Sequence, residues 1–172
     1  IQKFSFSTDG NATDVADLVA VGTRGTGYSM STHGYAAAVQ GGSYTNVIQR
    51  FSFSTEANAA DVGDLTAARG YAAGASSETY GYTMGGGYPR VNIIDRFQFV
   101  ATANSSDVGD LADNMTGGGG TSSTTHAYYN GGNWDTGARH NNIYKVQMVA
   151  TATATDVANL TVAKDFMSTS QA

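Results

Sequence analysis

The chain has no cysteine, one proline and only three lysines, Lys3, Lys145 and Lys164, in 172 residues. The absence of cysteine excludes a disulfide-stapled scaffold, thiolate metal sites and cysteine nucleophiles. No apolar run approaches the roughly 18 residues that a membrane-spanning helix needs, so we expect no membrane insertion. Charged residues make up 13% of the chain and its net charge is −5. A nucleic-acid partner would require a basic face, so we expect none.

Residues for catalysis are also scarce. The three histidines, His33, His126 and His140, lack zinc-ligand spacing, and there is no Gly-x-Ser-x-Gly motif. His33 and His126 fall near the start of the same repeat strand, which explains them better than catalysis does. Gly117–Gly120 lacks the Lys-Ser/Thr of a phosphate loop, so we expect a flexible turn there. We therefore predict no enzymatic activity, no cofactor and no metal site. A glycan hydrolase is the runner-up enzyme class, and it would need two carboxylates about 5 to 10 Å apart.

What the chain does contain is a repeat. The motif Ile-x-[Lys/Arg]-Phe-x-Phe, or a close variant, begins at Ile1, Ile48, Ile94 and Ile143, so the copies start 47, 46 and 49 residues apart. In every copy the first Asp of an Asp-Val-x-[Asp/Asn]-Leu unit lies 13 residues after the Ile. A period of this size indicates a stacked array or a propeller.

The two motifs predict two strands of each unit. Ile-x-[Lys/Arg]-Phe-x-Phe alternates apolar and polar residues, which is typical of a half-buried strand whose phenylalanines define the buried side. The Asp-Val-x-Asp-Leu unit predicts a short edge strand or tight turn with Val and Leu inward. Its aspartates could bind calcium, but we favour caps on backbone N–H groups because the fourth copy has Asn159 and no further acidic ligands cluster nearby.

The second half of each unit runs through small residues into a double glycine, as in Gly70–Gly86, and the glycines permit backbone angles closed to other residues. Each unit thus supplies about four short strands, and we predict an all-β fold with a single repeat domain over residues 1–172. Three complete units and parts of a fourth are expected. The chain starts inside a repeat and without Met, which suggests a piece of a longer protein.

The four-stranded unit ending in a double glycine resembles the kelch repeat of β-propellers. Arg69 lies near the position of the basic residue of a kelch repeat, whereas Asp-Val-x-Asp-Leu replaces the kelch tryptophan and methionine positions. The resemblance implies a kelch-like β-propeller, and an open linear β repeat array is the alternative. It also leaves open an intracellular kelch-type module that grips a protein partner.

A closer likeness is to tandem repeats in structural proteins of marine bacteriophages, especially cyanophages. Asn11-Ala12-Thr13-Asp14 and Gly63-Asp64-Leu65-Thr66-Ala67-Ala68-Arg69 are similar to those repeats. This resemblance implies a virion protein, outside the cell, in a tail fibre or surface decoration. Its expected partners are other virion subunits and host-surface glycans, and we expect a homo-oligomer, since display of several copies adds avidity to weak contacts.

The candidate binding residues lie in the loops after the double glycines. Each loop carries an aromatic residue two positions beyond its second glycine: Tyr44, Tyr88 and Trp134. Propeller loops of one type gather on one face, so the three rings are candidates for a shared platform that binds sugar rings. The alternative is that each ring only covers the backbone of its own loop. The polar candidates in the same loops are Arg90, Asp135, Arg139 and His140.

Overall fold

A computed structural model of the protein describes residues 1–133 and 136–167. The regular secondary structure of these residues consists of β-strands. None of the described chain forms a helix long and apolar enough to cross a membrane. The strands are β1 (Gln2–Lys3), β2 (Thr13–Asp14), β3 (Thr26–Ser29), β4 (His33–Ala37), β5 (Val47–Ser52), β6 (Ala60–Asp64), β7 (Ala73–Ser76), β8 (Tyr80–Met84), β9 (Val91–Gln98), β10 (Ser106–Met115), β11 (Gly119–Ser122), β12 (His126–Asn130), β13 (Asn142–Gln147) and β14 (Thr155–Asn159).

The strands form three complete antiparallel sheets and one half-sheet. The complete sheets have the orders β3-β4-β5-β6, β7-β8-β9-β10 and β11-β12-β13-β14, and the half-sheet is β1-β2. The Ile-x-[Lys/Arg] motif supplies the third strand of each sheet, and Asp-Val-x-Asp-Leu supplies the fourth, at the sheet edge. The predicted all-β repeat fold is therefore confirmed. The described residues contain no closed ring of sheets.

The first strands of the complete sheets, β3, β7 and β11, lie side by side. Glycines allow this approach: a Cβ on Gly74 would lie 2.1 Å from Thr26 Oγ1, and one on Gly120 would lie 2.1 Å from the Gly74 carbonyl oxygen. The flexible turn expected at Gly117–Gly120 is therefore wrong in part. Gly119 and Gly120 belong to β11, and at Gly120 only a residue without a side chain fits against β7.

Two apolar clusters fill the spaces between neighbouring sheets. One lies between the first and second complete sheets and includes Tyr35, Ile48 and Phe97. The other lies between the second and third and includes Tyr82, Ile94 and Met148. Both faces of the middle sheet are thus covered, and burial on both faces provides most of the hydrophobic stabilisation of the array.

The phenylalanines of the third strand define the buried side only where the neighbouring strands are present. The prediction is confirmed for Phe97 of β9 and for Phe99, which directly follows the strand, since both are buried. The ring of Phe97 occupies the space over Gly81 of β8, where an added Cβ would lie 2.3 Å from Phe97 Cζ. The ring of Phe99 stacks on Tyr35 of the preceding sheet, with 4.6 Å between the ring centroids.

The prediction is wrong for Phe4, Phe6 and Phe53, which are exposed, Phe6 to 97%. The half-sheet has no second strand in the described residues, so no glycine-bearing strand adjoins Phe4, and no tyrosine equivalent to Tyr35 reaches Phe53. In the last sheet the third strand carries Val146, and its partner in β12 is Ala127 rather than glycine. A large third-strand side chain thus faces glycine in the second strand, and a smaller one faces alanine.

A buried ion pair joins the middle sheet to the segment that leads into it. Arg69 Nη2 donates to Asp95 Oδ2 at 3.0 Å, and the two side chains are 1% and 0% exposed. Asp95 also accepts hydrogen bonds from the backbone N–H and the hydroxyl of Thr66, at 2.9 and 2.7 Å. Equivalent contacts in the other complete sheets join Ala20 to Gln49 and Asp113 to Tyr144. The residue after the repeat's Ile therefore anchors the incoming chain.

The first aspartates of two edge strands, β6 and β10, cap backbone groups as predicted, whereas Asp156 of β14 accepts from the Asn142 side-chain amide. Asp61 Oδ1 accepts a hydrogen bond from the Gly63 N–H at 3.1 Å, and Asp107 Oδ1 accepts one from the Gly109 N–H at 3.0 Å. Within the described ranges, no group of three or more histidine, aspartate or glutamate side chains is placed to hold a metal ion. The geometry favours the capping role over calcium binding.

Candidate binding surface on the loop face

Two kinds of connection leave each sheet at the same end, because neighbouring strands run antiparallel and the second and fourth strands therefore point the same way. The Gly-Gly loops, residues 38–46, 85–90 and 131–141, join second strands to third strands. The linkers, residues 15–25, 65–72, 116–118 and 160–167, follow the fourth strands. Loops and linkers are bonded to one another: the Gly87 N–H donates to the Gly70 carbonyl at 2.7 Å, and the Gly132 N–H to the Lys164 carbonyl at 2.8 Å. We call this side of the molecule the loop face.

The double glycines allow the loops to approach the linkers. Gly85–Gly86 and Gly131–Gly132 have positive φ angles of 61° to 97°. A Cβ on Gly86 would lie 2.7 Å from the Gly70 carbonyl oxygen. The predicted need for glycine is thus confirmed in these two loops. The first loop differs, because the left-handed residue there is Ala38, with φ of 54°.

The linkers carry an unusual backbone feature at one position of the repeat. Arg24, Tyr71 and Phe166 each lie six residues after the repeat's Leu and have φ angles of 63°, 57° and 51°; the equivalent residue of the remaining linker is Gly117, with φ of 68°. Successive members are joined by backbone hydrogen bonds, from Tyr71 N–H to the Arg24 carbonyl and from Gly117 N–H to the Tyr71 carbonyl, each at 2.9 Å. Left-handed non-glycine residues are uncommon and concentrate at functional sites.

This backbone arrangement brings three side chains into a row on the loop face. The Arg24 guanidinium carbon lies 4.6 Å from the Tyr71 ring centroid, and the centroids of Tyr71 and Phe166 are 5.6 Å apart. Gly117 has no side chain to separate the two rings. Phe166 is 62% exposed. We call Arg24, Tyr71 and Phe166 the loop-face row.

The predicted residues Tyr44 and Tyr88 flank this row. The Tyr88 ring meets the Tyr71 ring edge to face, with 5.6 Å between centroids, and is 47% exposed. A Cβ on Gly70 would lie 3.0 Å from Tyr44 Cε1, so Tyr44 packs against the linker beside Tyr71. Burial, and then the nearby Tyr71 and Tyr88 hydroxyls, raise the pKa of Tyr44. The structure thus places Tyr44 and Tyr88 around Tyr71. Trp134 and Asp135 lie outside the described residues.

Arg90 connects Tyr88 to a polar network. Its guanidinium carbon lies 4.8 Å from the Tyr88 ring centroid, and Nε and Nη2 donate to Asn133 Oδ1 at 3.0 and 2.7 Å. Asn133 Nδ2 donates to Asp165 Oδ2 at 3.1 Å, and Arg139 Nε donates to Asp165 Oδ1 at 2.8 Å. Two of the predicted arginines, Arg90 and Arg139, therefore belong to one network.

His140 has a different position. Its Nδ1 lies 2.9 Å from Asn142 Oδ1, its backbone N–H donates to the Gly132 carbonyl, and its carbonyl accepts from the Lys164 N–H. These contacts tie the third loop to the last linker. The structure thus gives His140 a loop-bracing role.

Sequence reasoning missed the loop-face row itself. Tyr71 lies in the small-residue segment that predicts a strand, and Arg24 and Phe166 lie outside the Gly-Gly loops that hold the predicted binding residues. Their constant distance of six residues from Leu18, Leu65 and Leu160 was the available signal. The meaning of that distance depends on the packing of the linkers, which the sequence does not display.

On the side opposite the loops, a groove of about 1430 Å³ runs along the first strands and the turns that follow them. Its lining is formed by glycine, serine, threonine, aromatic and a few aliphatic residues, and Glu78 is the one charged side chain among the described residues that line it. His33 and His126 begin β4 and β12, as predicted, and their Nδ1 atoms lie 2.8 Å from the hydroxyls of Thr32 and Thr125. In the part of the chain that the structure describes, the groove lining holds one carboxylate, Glu78, whereas glycoside hydrolysis uses a pair.

Comparison of the chain with models of known protein families found no match, and comparison with curated proteins found none either. Inference of function therefore depends on the repeat and on the chemistry of the loop face.

Proposed function

We propose that the protein is a non-enzymatic structural component of a bacteriophage particle, in a tail fibre or surface decoration, and that its loop face binds glycans of the host surface. The location is suggested by the resemblance of the repeats to those of marine phage structural proteins. Binding is supported chiefly by one observation: the exposed rings of Phe166 and Tyr88 flank the half-buried Tyr71 on a backbone held by linker hydrogen bonds.

Exposed aromatic rings beside polar side chains suit sugars, which offer C–H faces to stack on rings and hydroxyls to hydrogen bond. In the row and its flanks the rings are held by neighbouring rings and guanidinium groups, so little side-chain freedom is lost when a ligand binds. Arg90 lies against the Tyr88 ring and is linked to Arg139 through Asn133 and Asp165, so this polar network adjoins the aromatic surface and can serve the hydroxyls of a stacked sugar.

The same surface also suits a protein partner, such as a neighbouring virion subunit or the target of a kelch-type interaction module. Tyr and Arg are enriched among the residues that dominate protein interfaces. Arg24 over Tyr71 and Arg90 over Tyr88 provide two such pairs within one surface. A protein partner is therefore the second candidate.

The location is tested on purified phage particles. An antibody raised against the protein should label intact particles, and a map of the particle should contain density for three stacked four-stranded sheets on a tail or capsid surface. Particles that lack both the label and the density contradict the proposed location.

Binding is tested on a glycan array with a matched pair of variants. Tyr88→Ala removes a ring of the loop-face surface. Tyr80→Ala removes a ring of the same type, which also has an arginine above it, Arg96 at 4.9 Å, but lies at the other end of β8. Trp134→Ala tests the predicted third ring.

We expect Tyr88→Ala to weaken glycan binding about fivefold and Tyr80→Ala to leave it unchanged, because aromatic contacts contribute about 1 kcal/mol each. Absence of glycan binding by the folded protein would leave only the protein-partner role for the loop face. Equal effects of the Tyr80 and Tyr88 substitutions would place the binding site elsewhere.

A further inference from the structure

Charge on the loop face differs in sign from that of the whole chain. The net charge of the chain is −5. In the described loops and linkers, apart from the buried Arg69–Asp95 pair, the cations Arg24, Arg90, Arg139 and Lys164 outnumber the carboxylates of Asp17 and Asp165, and Asp165 is only 14% exposed and already paired. A positive surface on an acidic protein attracts an anionic ligand, because few negative charges lie close enough to repel it.

Arg24 is the cation best placed to contact such a ligand. It is exposed, it stands at the end of the loop-face row, and its left-handed backbone directs the side chain over Tyr71. The hydrogen bond it makes within the described residues runs from Nη1 to Gln40 Oε1. Nε and Nη2 therefore retain donors for a ligand. Stacking on a ring and binding a carboxylate through the edge of the guanidinium are compatible, because the group is planar.

Arg90 and Arg139 are differently placed. Both donate to partners of the Asn133–Asp165 network, and part of their donor capacity is used there. They raise the local positive potential, whereas Arg24 offers the direct contact.

We propose that the glycan bound at the loop face is an acidic one, and that Arg24 pairs with the carboxylate of a sugar, such as a uronic acid, whose ring lies on the loop-face row. This inference depends on the proposed glycan binding and adds the chemical class of the ligand and the residue that selects it. Glycans with a neutral terminal sugar would make the same ring contacts without the ion pair.

The test compares an acidic oligosaccharide with the same oligosaccharide after chemical reduction of its carboxyl groups to alcohols. Titration calorimetry with the full chain should show at least about tenfold weaker binding of the reduced form, as expected for a lost charge-assisted hydrogen bond. Binding of the acidic form should weaken as salt is raised, and binding of the reduced form should not.

Arg24→Gln should remove this preference, bringing the affinity for the acidic form to within about twofold of that for the reduced form. Arg24→Lys should keep part of the preference, since lysine retains the charge but not the planar pair of donors. Arg96→Gln is the matched control, because Arg96 also lies over a tyrosine but far from the loop face. It should change neither affinity.

Equal binding of the two oligosaccharides, or a preference that survives Arg24→Gln, would overturn the inference while leaving glycan binding intact. Failure of both oligosaccharides to bind folded protein would overturn the inference together with the proposed glycan function.

Discussion

Replacing Asp95 with alanine should destabilise the protein more than any other single truncation of a buried polar group. Asp95 is fully buried and is the carboxylate partner of Arg69, which is itself 1% exposed. The other hydrogen bond of Arg69 goes to the Thr83 carbonyl at 3.3 Å, and Nε and Nη1 have no hydrogen-bond partner within the described residues. Removing the carboxylate therefore leaves a buried guanidinium without a counter-charge.

Breaking a buried ion pair from one side costs about 3–5 kcal/mol. That is a large part of the roughly 5–15 kcal/mol that separates folded from unfolded domains. With a urea dependence of about 2 kcal/mol per molar, the unfolding midpoint should fall by about 2 M. Urea unfolding followed by circular dichroism measures this shift.

Two further variants give this prediction its controls. Gln49→Ala removes the equivalent anchor of the preceding sheet, which is also fully buried but uncharged, and should cost only about 1–2 kcal/mol. The double variant Arg69→Met with Asp95→Leu should be more stable than Asp95→Ala alone, since no unpaired charge is left in the core. The reasoning is refuted if Asp95→Ala costs no more than Gln49→Ala, or if the double variant is as unstable as Asp95→Ala.

Two other predictions follow from contacts within and between sheets. Gly81→Ala should destabilise the protein by about 1–3 kcal/mol, because its methyl group would meet the Phe97 ring. Adding Phe97→Val should relieve this clash, so the double variant should lose less stability than the sum of the two single variants. Additive losses in chemical denaturation would argue against the fit of the two residues. The hydrogen bond from Lys3 Nζ to Glu56 Oε1, at 2.7 Å, and then the charge of Lys3 lower the pKa of Glu56. The stabilisation from this pair is therefore present above the ordinary carboxyl pKa and is lost as the pH falls through the lowered pKa. An NMR titration of Glu56 should show the pKa rising in Lys3→Met, and an unchanged pKa would contradict the assignment of its cause.

The sequence-based prediction succeeded where the pattern is local to one strand. The third strand beginning near each repeat's Ile and the capping aspartates follow from alternation and turn chemistry within a few residues, as Asp61 and Asp107 show. Two of the three double glycines, Gly85–Gly86 and Gly131–Gly132, likewise mark positions where the backbone has a positive φ.

Prediction failed where burial depends on a neighbouring sheet. Phe6 and Phe99 occupy the same position of the repeat, yet one is exposed and the other is buried, because only Phe99 has a tyrosine of a preceding second strand against it. Gly120 was expected in a turn because nothing in its local sequence reveals that β7 lies against it.

The candidate site was predicted in part for the same reason. Tyr44 and Tyr88 follow a local marker, the double glycine. Arg24, Tyr71 and Phe166 are separated by 47 and 95 residues, as their positions in the chain show, and meet only because the linkers are bonded side by side.

The claim that the loop face is the binding surface is tested most directly by NMR with isotope-labelled aromatic rings. On addition of an acidic oligosaccharide, the ring resonances of Tyr44, Tyr71, Tyr88 and Phe166 should shift with a common saturation curve, while those of Tyr80 stay in place. Shifts confined to Tyr80 and its neighbours along the groove, with the resonances of the loop-face row unchanged, would contradict the account.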